Sequence, residues 1–543
     1  MAETIGLFIL ESIGATASIT GIGAATVTVA GVSAATIVGT AAIIGASIGL
    51  NYALASSVRP DVPKPEDGSQ SIKQAVPPRI KGFGTNRLAG YAMLYEASPT
   101  QRPGKAYVVN ALHSGVVGAF RGFYLNDDLV NTIGDITHGG AAQVAAQDDK
   151  GKYAAIYLET HLGIVPEIPN SLLTVDPQIN GLWGVNHRGD GVASLTMLCN
   201  GISSPQNFTN VYPHNLPSPS AIVDCSPVWD PRDPAQSRSN PATWTVNKNP
   251  VLQLIFYLTA EDGGVGLDFD AVIGPNLAAW MGEADLCDQP VARSDGSMEP
   301  RYRSDGWYTY DNAPADVIGS ILSTCDGWLG EAGDGSLVIV VGVYRPPADP
   351  PITADHVLGF SLDYGQADEQ LINVLDVTFT DPAQNYVTVP TEPWRDEASI
   401  SLVGETKSKP LELKWVQSSS QARRLADRAM QRLNPQLTGS FTTTLYGLRY
   451  LGRRWVPIQY PFVSGLQNNV VEIQNAEVDL MRGRILWQFS LIATDTIEAY
   501  DPATDEGGAP ASPPSIVPVL LRREDGNPYI REDGTAYMRE ASL

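Results

Sequence analysis

The 543-residue sequence predicts an α+β fold that is predominantly β and is divided among several domains. Its 51 glycines and 40 prolines are spread along the chain, which favours many short strands joined by turns. Several stretches alternate apolar and polar residues at the period of a half-buried strand, and a few others show helical spacing. Because one hydrophobic core rarely organises a chain of this length, we expect roughly three to five domains.

The N-terminal leader, residues 1–58, is apolar and rich in small residues. Residues 12–58 contain no Asp, Glu, Lys or Arg, and isoleucine and alanine recur at helical spacing, which predicts a helix. Gly45 and Gly49 form a GxxxG pattern that lets helix backbones approach closely. Three interpretations are open: a cleaved signal peptide, a membrane anchor, and a helix packed against copies of itself. The third is favoured because no Lys or Arg precedes Arg59 and no aromatic belt flanks the segment.

A linker at residues 59–78 separates the leader from a first β domain, predicted at 79–169. The linker is polar and proline-rich and shows no apolar period. After it, glycines stand between short apolar runs in RIKGFGTNRLAGYAMLYEA, which predicts successive strands with tight bends. The stretch KAYVVNALHSGVVGAFRGFYLNDDLV continues this pattern as two further strands, each followed by a turn.

An inserted α+β domain is predicted at 170–345. Its stretch GVASLTMLCNG is typical of a buried strand, and proline at the first helical position marks a helix start at Asn249-Pro250. Another helix is predicted from an apolar stripe at the i, i+3, i+4, i+7 spacing. The stripe consists of Ile318, Ile321, Leu322 and Cys325. These mixed signals distinguish the segment from the β domain before it.

A second β domain is predicted at 346–500, because its last third alternates apolar and polar residues in GSFTTTLYGLRYLGRRWVPIQYPF and NVVEIQNAEVDLMRGRILWQFSLIAT. It contains one amphipathic helix, 417–433, whose alanines and leucines are expected to face inward. Its four arginines are predicted to form a solvated outer face, and contact with an acidic neighbouring subunit is the alternative. They are Arg423, Arg424, Arg428 and Arg432.

The C-terminal segment begins with a second linker, 501–520, and ends in a short repeat at 521–543. Arg-Glu-Asp-Gly-x-x-Tyr occurs twice at a period of eight, and its copies end at Tyr529 and Tyr537. Asp-Gly is a turn signal, so each copy predicts a short strand with a turn. Because so few repeats cannot bury a face alone, we predict strands that dock on a partner, with a disordered tail as the alternative.

No enzymatic, metal or cofactor site is predicted. The chain lacks the GxSxG, HExxH, P-loop and dinucleotide fingerprints, and its six histidines show no metal-ligand spacing. The pairs Asp127-Asp128 and Asp148-Asp149 stand where turns are expected, which favours solvated turns over a glycosidase pair. The formal net charge of −23 argues against a surface that grips nucleic-acid phosphates. The four cysteines form no CxxC pair and are predicted to be reduced, buried thiols.

Three stretches of the body carry a family resemblance. They are PPRIKGFGTNRLAGYAMLYEA with the strands after it, NLPSPSAIVDCSPVWDPRD followed by Trp244 and NPVLQLIFYLTAEDGGVGLD, and the helix QARRLADRAMQRL. Together they resemble the tail-tip hub proteins of long-tailed phages, the family of the lambda tip attachment protein J. The second stretch is the most specific match, and the resemblance covers roughly residues 75–500.

This resemblance implies a homotrimeric hub at the virion tail tip, with tail-tube-like β-barrels in its two β domains. Such a hub joins the tail tube to distal fibres or a spike, closes the channel, and takes part in host attachment and DNA ejection. The implied partners are a distal tail or tube protein, the tape-measure protein, and a fibre or spike protein at the C-terminus. DNA passes through without specific binding. The assembly candidates are Gly45, Gly49, Trp229, Asp230, Arg232, Tyr529 and Tyr537.

Two other classes compete with the hub. A membrane-inserting pore former or envelope protein is argued from the leader alone, and a secreted glycan hydrolase would need a carboxylate pair held at fixed separation. In the hub hypothesis, residues 12–58 of three copies bundle on a shared axis, where they plug the lumen or contact the host membrane when triggered.

Overall fold

The structure is a computed structural model that describes residues 77–98, 103–136, 138–177, 179, 181–365 and 371–508, together with a few terminal strands. The chain forms a first β unit, a central helical unit and a second β unit, each around its own hydrophobic core. Among the described residues, no helix is both long and apolar enough to cross a membrane.

The terminal segments contain short strands. They are Ala15–Ile19, Ala24–Val29, Val32–Ser33, Ile37–Val38, Ala42–Ile43, Ile516–Leu520 and Met538–Ser542. Valine, threonine and isoleucine recur in the leader strands, and β-branched side chains favour extended backbone. The helix predicted for the leader is therefore wrong over these stretches. The rest of 1–58, including Gly45 and Gly49, lies outside the described residues, as do Tyr529 and Tyr537.

The first β unit consists of two antiparallel sheets around one core. In spatial order, the five-stranded sheet contains Ala141–Gln143, Ile156–Leu162, Val192–Asn200, Lys105–Ser114 and Tyr91–Ala97. The four-stranded sheet contains Asp128–Val130, Ala119–Leu125, Pro219–Asp224 and Thr85–Leu88. Apolar side chains of both sheets, such as Leu112 and Val223, are buried in the shared core.

The first β unit extends past the boundary predicted at residue 169. Val192–Asn200 is the middle strand of the larger sheet and pairs along both edges, and Pro219–Asp224 pairs along both edges of the smaller sheet. Seven consecutive residues of Val192–Asn200 are buried, as expected of a strand covered on both faces. Residues 163–191, which sequence analysis placed mostly in the inserted domain, connect two neighbouring strands of one sheet.

The central helical unit contains four longer helices. They are Pro250–Thr259, Leu277–Asp288, Pro314–Ser323 and Ser419–Leu433. The helix start predicted at Asn249-Pro250 is confirmed: Oδ1 of Asn249 accepts a hydrogen bond of 3.1 Å from the N–H of Val251. The apolar stripe predicted on the third helix is also confirmed, since all four of its residues are buried.

A small sheet covers these helices. Val374–Asp381 pairs in parallel with Ser408–Leu413 and antiparallel with Val387–Pro390 and Trp394–Arg395. Its apolar side chains lie in the same core as the four helices. The structure therefore assigns residues 374–433 to the central unit, although sequence analysis placed them in the second β domain.

The Ser419–Leu433 helix, called the arginine helix below, belongs to this central core. Its alanine and leucine side chains are buried there, as predicted. It begins two residues later than predicted, where Ser418 caps its first turn by accepting a hydrogen bond from the N–H of Gln421.

The second β unit is built on one mainly antiparallel sheet. In spatial order its main strands are Ile352–Thr353, Trp455–Gln459, Asn469–Asp479, Arg484–Leu491, Leu437–Thr444 and Val357–Tyr364. The leader strand Ala42–Ile43 pairs beside the third of them. Only three residues separate the first and last strands, and they form the 3-10 turn Ala354–His356, so the facing ends of these two edge strands are at most about 14 Å apart.

Shorter elements lie within and between the three units. The short helices are Ser171–Thr174, Pro205–Val211, Phe269–Val272, Glu397–Val403 and Pro502–Asp505. The 3-10 turns are Pro241–Thr243, Gly274–Asn276, Ala354–His356, Pro382–Gln384 and Leu445–Tyr450. The two-stranded pairs are Ile80–Phe83 with Gly306–Thr309, Pro227–Val228 with Thr245–Val246, Pro290–Ala292 with Met298–Pro300, and Trp328–Glu331 with Leu337–Val340.

Candidate functional site

The arginines of the arginine helix lie inside the protein, so the predicted solvated face is wrong. Arg423, Arg424 and Arg428 are 7%, 8% and 5% exposed, and the side chain of Arg432 is 11% exposed. Arg424, Arg428 and Arg432 follow one another at i, i+4 spacing and therefore share one face of the helix. Carboxylates from distant parts of the chain cover that face, which is why the helix is buried on both sides.

A buried ionic junction forms where this helix meets the second β unit. It consists of Asp326, Glu472, Arg428, Arg432 and Arg454. Asp326 accepts hydrogen bonds from Nε of Arg428 at 2.7 Å, from Nη1 and Nη2 of Arg432 at 2.8 and 2.9 Å, and from Nη2 of Arg454 at 3.0 Å. Glu472 accepts from Nε of Arg432 at 2.9 Å and from Nε of Arg454 at 2.7 Å.

Both carboxylates of the ionic junction are ionised in the folded protein. Burial alone would raise the pKa of Asp326, but the charges of Arg432, Arg454 and Arg428 outweigh burial and hold that pKa well below its ordinary value. Burial likewise opposes ionisation of Glu472, and Arg432 and Arg454 lower its pKa in the same way. The junction is therefore a charged cluster, in which two carboxylates face three guanidinium groups.

The ionic junction connects two of the three units. Asp326 and the arginine helix belong to the central unit, whereas Arg454 and Glu472 belong to the second β unit. Nη1 of Arg454 also donates to the backbone oxygen of Asp326 at 2.7 Å, and the indole nitrogen of Trp328 donates to the oxygen of Ile473 at 3.1 Å. Because a buried charge is costly unless every partner is in place, this cluster selects one relative position of the two units.

Sequence analysis missed the acidic half of the ionic junction and Arg454. The available signal was the run of arginines four residues apart on a helix whose opposite side is apolar. That spacing indicates a shared partner as readily as a solvated face, and nothing local to the helix identifies the carboxylates.

Three of the predicted assembly residues lie together within one chain. Nε and Nη2 of Arg232 donate to the two carboxylate oxygens of Asp230 at 2.9 and 2.8 Å. Nη1 of Arg232 lies 2.8 Å from Asp285 and 2.9 Å from Asp288, at the end of the Leu277–Asp288 helix. Trp229 packs edge-on against the ring of Phe269, with 5.6 Å between ring centroids. This arrangement fastens the Trp-Asp-Pro-Arg turn to the central unit.

Residues 163–187, called the apolar loop below, carry several exposed apolar side chains among those that the structure describes. Its large exposed side chains are Val165, Ile168, Val175, Leu182 and Val185. The only charged residues in this range are Glu167 and Asp176, and both are buried. An apolar patch of this kind on a soluble protein is typical of a contact surface.

Buried polar side chains hold the apolar loop in shape. Glu167 accepts hydrogen bonds from the N–H groups of Gly163 and Ile164 at 2.8 and 3.1 Å. Glu159 accepts from the N–H groups of Ser171 and Leu172 at 2.7 and 2.8 Å. Bonds from carboxylates to backbone N–H groups are strong, so the loop presents its apolar side chains from a fixed backbone.

The acidic pairs and the cysteines singled out in the sequence lie in different surroundings. No group of three or more His, Cys, Asp or Glu side chains is placed to hold a metal ion within the described ranges. Of the two acidic pairs, Asp127 and Asp149 lie in turns, as predicted, and Asp148 lies in a bend, whereas Asp128 begins the strand Asp128–Val130. All four cysteines are buried and unpaired with one another in disulfides, which confirms the prediction of buried thiols.

Comparison with known proteins gives two kinds of similarity. Residues 314–447 match a family described as putative phage tail protein. The fold is similar to that of a chain in the virion of a native gene transfer agent particle, at 12% identity and a TM-score of 0.50, over 86% of this chain and 94% of that chain. No curated protein matches the sequence.

Two further solved structures are similar at lower TM-scores. The 43 kDa tail protein of prophage MuSo2 from Shewanella oneidensis is 12% identical at a TM-score of 0.25, over 77% of this chain and 99% of that one. The tail protein from Neisseria meningitidis MC58 is 11% identical at a TM-score of 0.28, over 73% and 98%.

Proposed function

We propose that this chain is a structural, non-enzymatic protein of a phage-type virion tail, and that it acts as a hub at the tail tip. The observation that carries the proposal is the fold shared over 86% of the chain with a chain of a gene transfer agent virion. The match of residues 314–447 to putative phage tail proteins supports the same role independently of that fold. The resemblance of its sequence motifs to long-tailed phage tip proteins supports the position at the tip.

The proposed hub is a homotrimer, and the apolar loop supports contact between copies. With a formal net charge of −23, copies of this chain repel one another over most of their surface. The apolar loop presents no exposed charge, so two copies can approach there without that penalty and can bury Val165 and Val175. We therefore assign the apolar loop to the interface between neighbouring copies.

Within the tail, the hub joins the tail tube to distal fibres or a spike, closes the channel, and takes part in attachment and DNA ejection. The ionic junction suits a part under mechanical stress, because it fixes the second β unit against the central unit. The leader, through residues 12–58, contacts the tape-measure protein or the host membrane, and the C-terminal repeats dock a fibre or spike protein. The comparisons favour this role over a membrane-inserting pore former or envelope protein.

Disruption of the coding sequence in the producing phage or prophage tests the proposal. We expect filled heads and tail tubes of normal length that lack a tip and do not infect, and complementation by the full chain should restore infectivity. Normal tips and normal infectivity without the chain would refute the hub.

A further inference from the structure

A cavity of about 230 Å³ lies beside the arginine helix and is called the arginine cavity below. Arg424 and Arg428 of that helix line the cavity. Arg301, which directly follows the hairpin of Pro290–Ala292 and Met298–Pro300, also lines it. Tyr500 also lines the cavity. It belongs to residues 497–506, called the strap below, which lead into the C-terminal segment.

Each of the three arginines has one buried guanidinium nitrogen with no acceptor among the described residues. These atoms are Nε of Arg301, Nε of Arg424 and Nη2 of Arg428, and the hydroxyl oxygen of Tyr500 is likewise buried without a partner. Burying a charged donor without an acceptor is costly, and native proteins rarely leave several such groups in one place. Their concentration around a single cavity indicates an acceptor that the chain itself does not supply.

The other nitrogens of Arg424 and Arg428 are already committed. Nη1 of Arg424 donates to Glu299 at 2.7 Å. Nε of Arg428 donates to Asp326 at 2.7 Å, and its Nη1 donates to Glu498 at 2.8 Å. The guanidinium groups are thereby held in place before any ligand arrives, which lowers the entropic cost of binding.

The lining of the arginine cavity favours a ligand that accepts hydrogen bonds. Asp427 and Glu498 are the two carboxylates that line it, beside three guanidinium groups. Glu299 and Asp326 pair with Arg424 and Arg428 from outside the lining, so the guanidinium charges are balanced within the chain. The unpartnered N–H groups, which can only donate, therefore select the ligand.

We propose that the arginine cavity is a binding site for a small phosphate-type oxyanion. Phosphate oxygens only accept hydrogen bonds from N–H groups, and they match the planar guanidinium group well. The volume equals about seven water molecules at roughly 30 Å³ each, enough for inorganic phosphate or a short phosphomonoester and too small for a nucleic-acid strand. Bound there, the anion would connect Tyr500 to Arg424 and so fasten the strap, and the start of the C-terminal segment, to the arginine helix.

Binding to the full-length chain tests this site. Thermal unfolding is followed in sodium phosphate and in sodium chloride at equal ionic strength, and equilibrium dialysis with labelled inorganic phosphate counts the bound ions. We expect a saturable rise in the unfolding midpoint and one phosphate per chain. Glycerol phosphate in place of inorganic phosphate distinguishes the source: tighter binding of the ester indicates a phosphomonoester, and equal or weaker binding indicates the free ion.

The variant Arg301→Gln removes a guanidinium group whose Nε has no partner, so the fold should be kept while phosphate affinity falls at least tenfold. Tyr500→Phe removes only a hydroxyl and should weaken binding several-fold. Arg482→Gln is the matched control, because it makes the same change of charge at an exposed site on the second β unit and should bind as the original chain does.

Phosphate also stabilises proteins without binding to a site, and that effect rises without saturation. If the original chain and Arg301→Gln show the same unsaturated rise and dialysis finds no bound ion, the cavity holds only water and the proposal is overturned.

Discussion

Nε of Arg454 lies 2.7 Å from Oε1 of Glu472, and both side chains are fully buried. The same guanidinium group donates to Asp326, so one arginine of the second β unit bonds a carboxylate of its own sheet and another of the central unit. The relative position of the two units therefore depends on buried charged groups. Replacing one of these groups should change the stability of the protein measurably.

Replacing Asp326 with Asn should destabilise the protein by roughly 3–5 kcal/mol, the range found when one partner of a buried ion pair is removed. Asn fits the left-handed backbone at this position, where φ is 48°, so the change removes charge with little strain. Arg432 and Arg454 would then share Glu472 as their remaining carboxylate, and Arg428 would keep only Glu498. Denaturant unfolding measures the change.

Asp479→Asn is the control for that variant. This carboxylate pairs with exposed Arg482 and Arg484 on the second β unit, so its loss should change the stability far less than the loss of Asp326. Equal effects of Asp326→Asn and Asp479→Asn would contradict the role given to the ionic junction.

Gly342 lies against the Asp326 side chain, and Gly342→Ala should disturb the ionic junction sterically. A Cβ atom at residue 342 would come within 2.5 Å of Cβ of Asp326, a contact that requires the carboxylate to move. We expect a loss of stability on the order of 2 kcal/mol, measured by denaturant unfolding. Gly359→Ala places the same methyl group where no described atom lies within 4 Å, and it should be nearly neutral. Similar losses for the two variants would argue against tight packing at Asp326.

Asp427 should make the protein less stable as the pH rises. The ionic junction acts in the opposite sense, because the lowered pKa values of Asp326 and Glu472 make its contribution to stability fall as the pH falls. Burial raises the pKa of Asp427 from its ordinary 3.8 to about 6. The folded protein then binds this proton more tightly than the unfolded chain does. The protonated carboxyl therefore adds its full contribution to the free energy of unfolding below about pH 3.8, and this contribution is lost as the pH rises through 6. Asp427→Asn removes the buried charge, so it should gain on the order of 2 kcal/mol at pH 7.5 and nothing at pH 4. A gain that is the same at both pH values would show that titration of this carboxyl is not the cause.

The apolar loop should control association between copies. The double variant Val165→Ser with Val175→Ser keeps the buried carboxylates that shape the loop and removes two exposed apolar side chains. We expect a lower fraction of trimer in light scattering after size exclusion and an unchanged unfolding midpoint of the monomer. Leu402→Ser removes an equally exposed leucine, 88% exposed, outside the loop and should leave association unchanged. A normal trimer in the double variant would place the interface elsewhere.

The two terminal segments should separate assembly from delivery. Deletion of residues 1–58 should leave trimer formation intact, because the apolar loop and the three hydrophobic cores remain although the short strand Ala42–Ile43 is lost, and should alter DNA retention or delivery in particles. Truncation after residue 512 should leave a hub that does not bind its fibre or spike protein. Particle infectivity and the protein content of purified tips measure these effects. Normal infectivity after the deletion, or complete tips after the truncation, would refute the respective role.

Local signals predicted local structure well. The proline after Asn249 marked a helix start, and the spacing of Ile318, Ile321 and Leu322 identified a buried helix face, because each signal acts within one or two turns of backbone. The antiparallel strands of the second β unit were likewise expected from alternation along their sequence.

Long-range pairing could not be predicted in this way. Asp326 and Arg454 are 128 residues apart, so the burial of the arginine helix depends on partners that no local pattern reveals. For the same reason Val192–Asn200 was recognised as a buried strand, yet its place in the first β unit depends on strands far from it in the chain.

The central claim, that this chain is the hub of a tail tip, is tested most directly by counting and locating it in purified virions. Electron cryomicroscopy of particles, combined with quantitative mass spectrometry of the chain, should find three copies at the distal end of the tail, with the apolar loops facing one another. Absence of the chain from particles, or its distribution along the whole tube, would contradict the account.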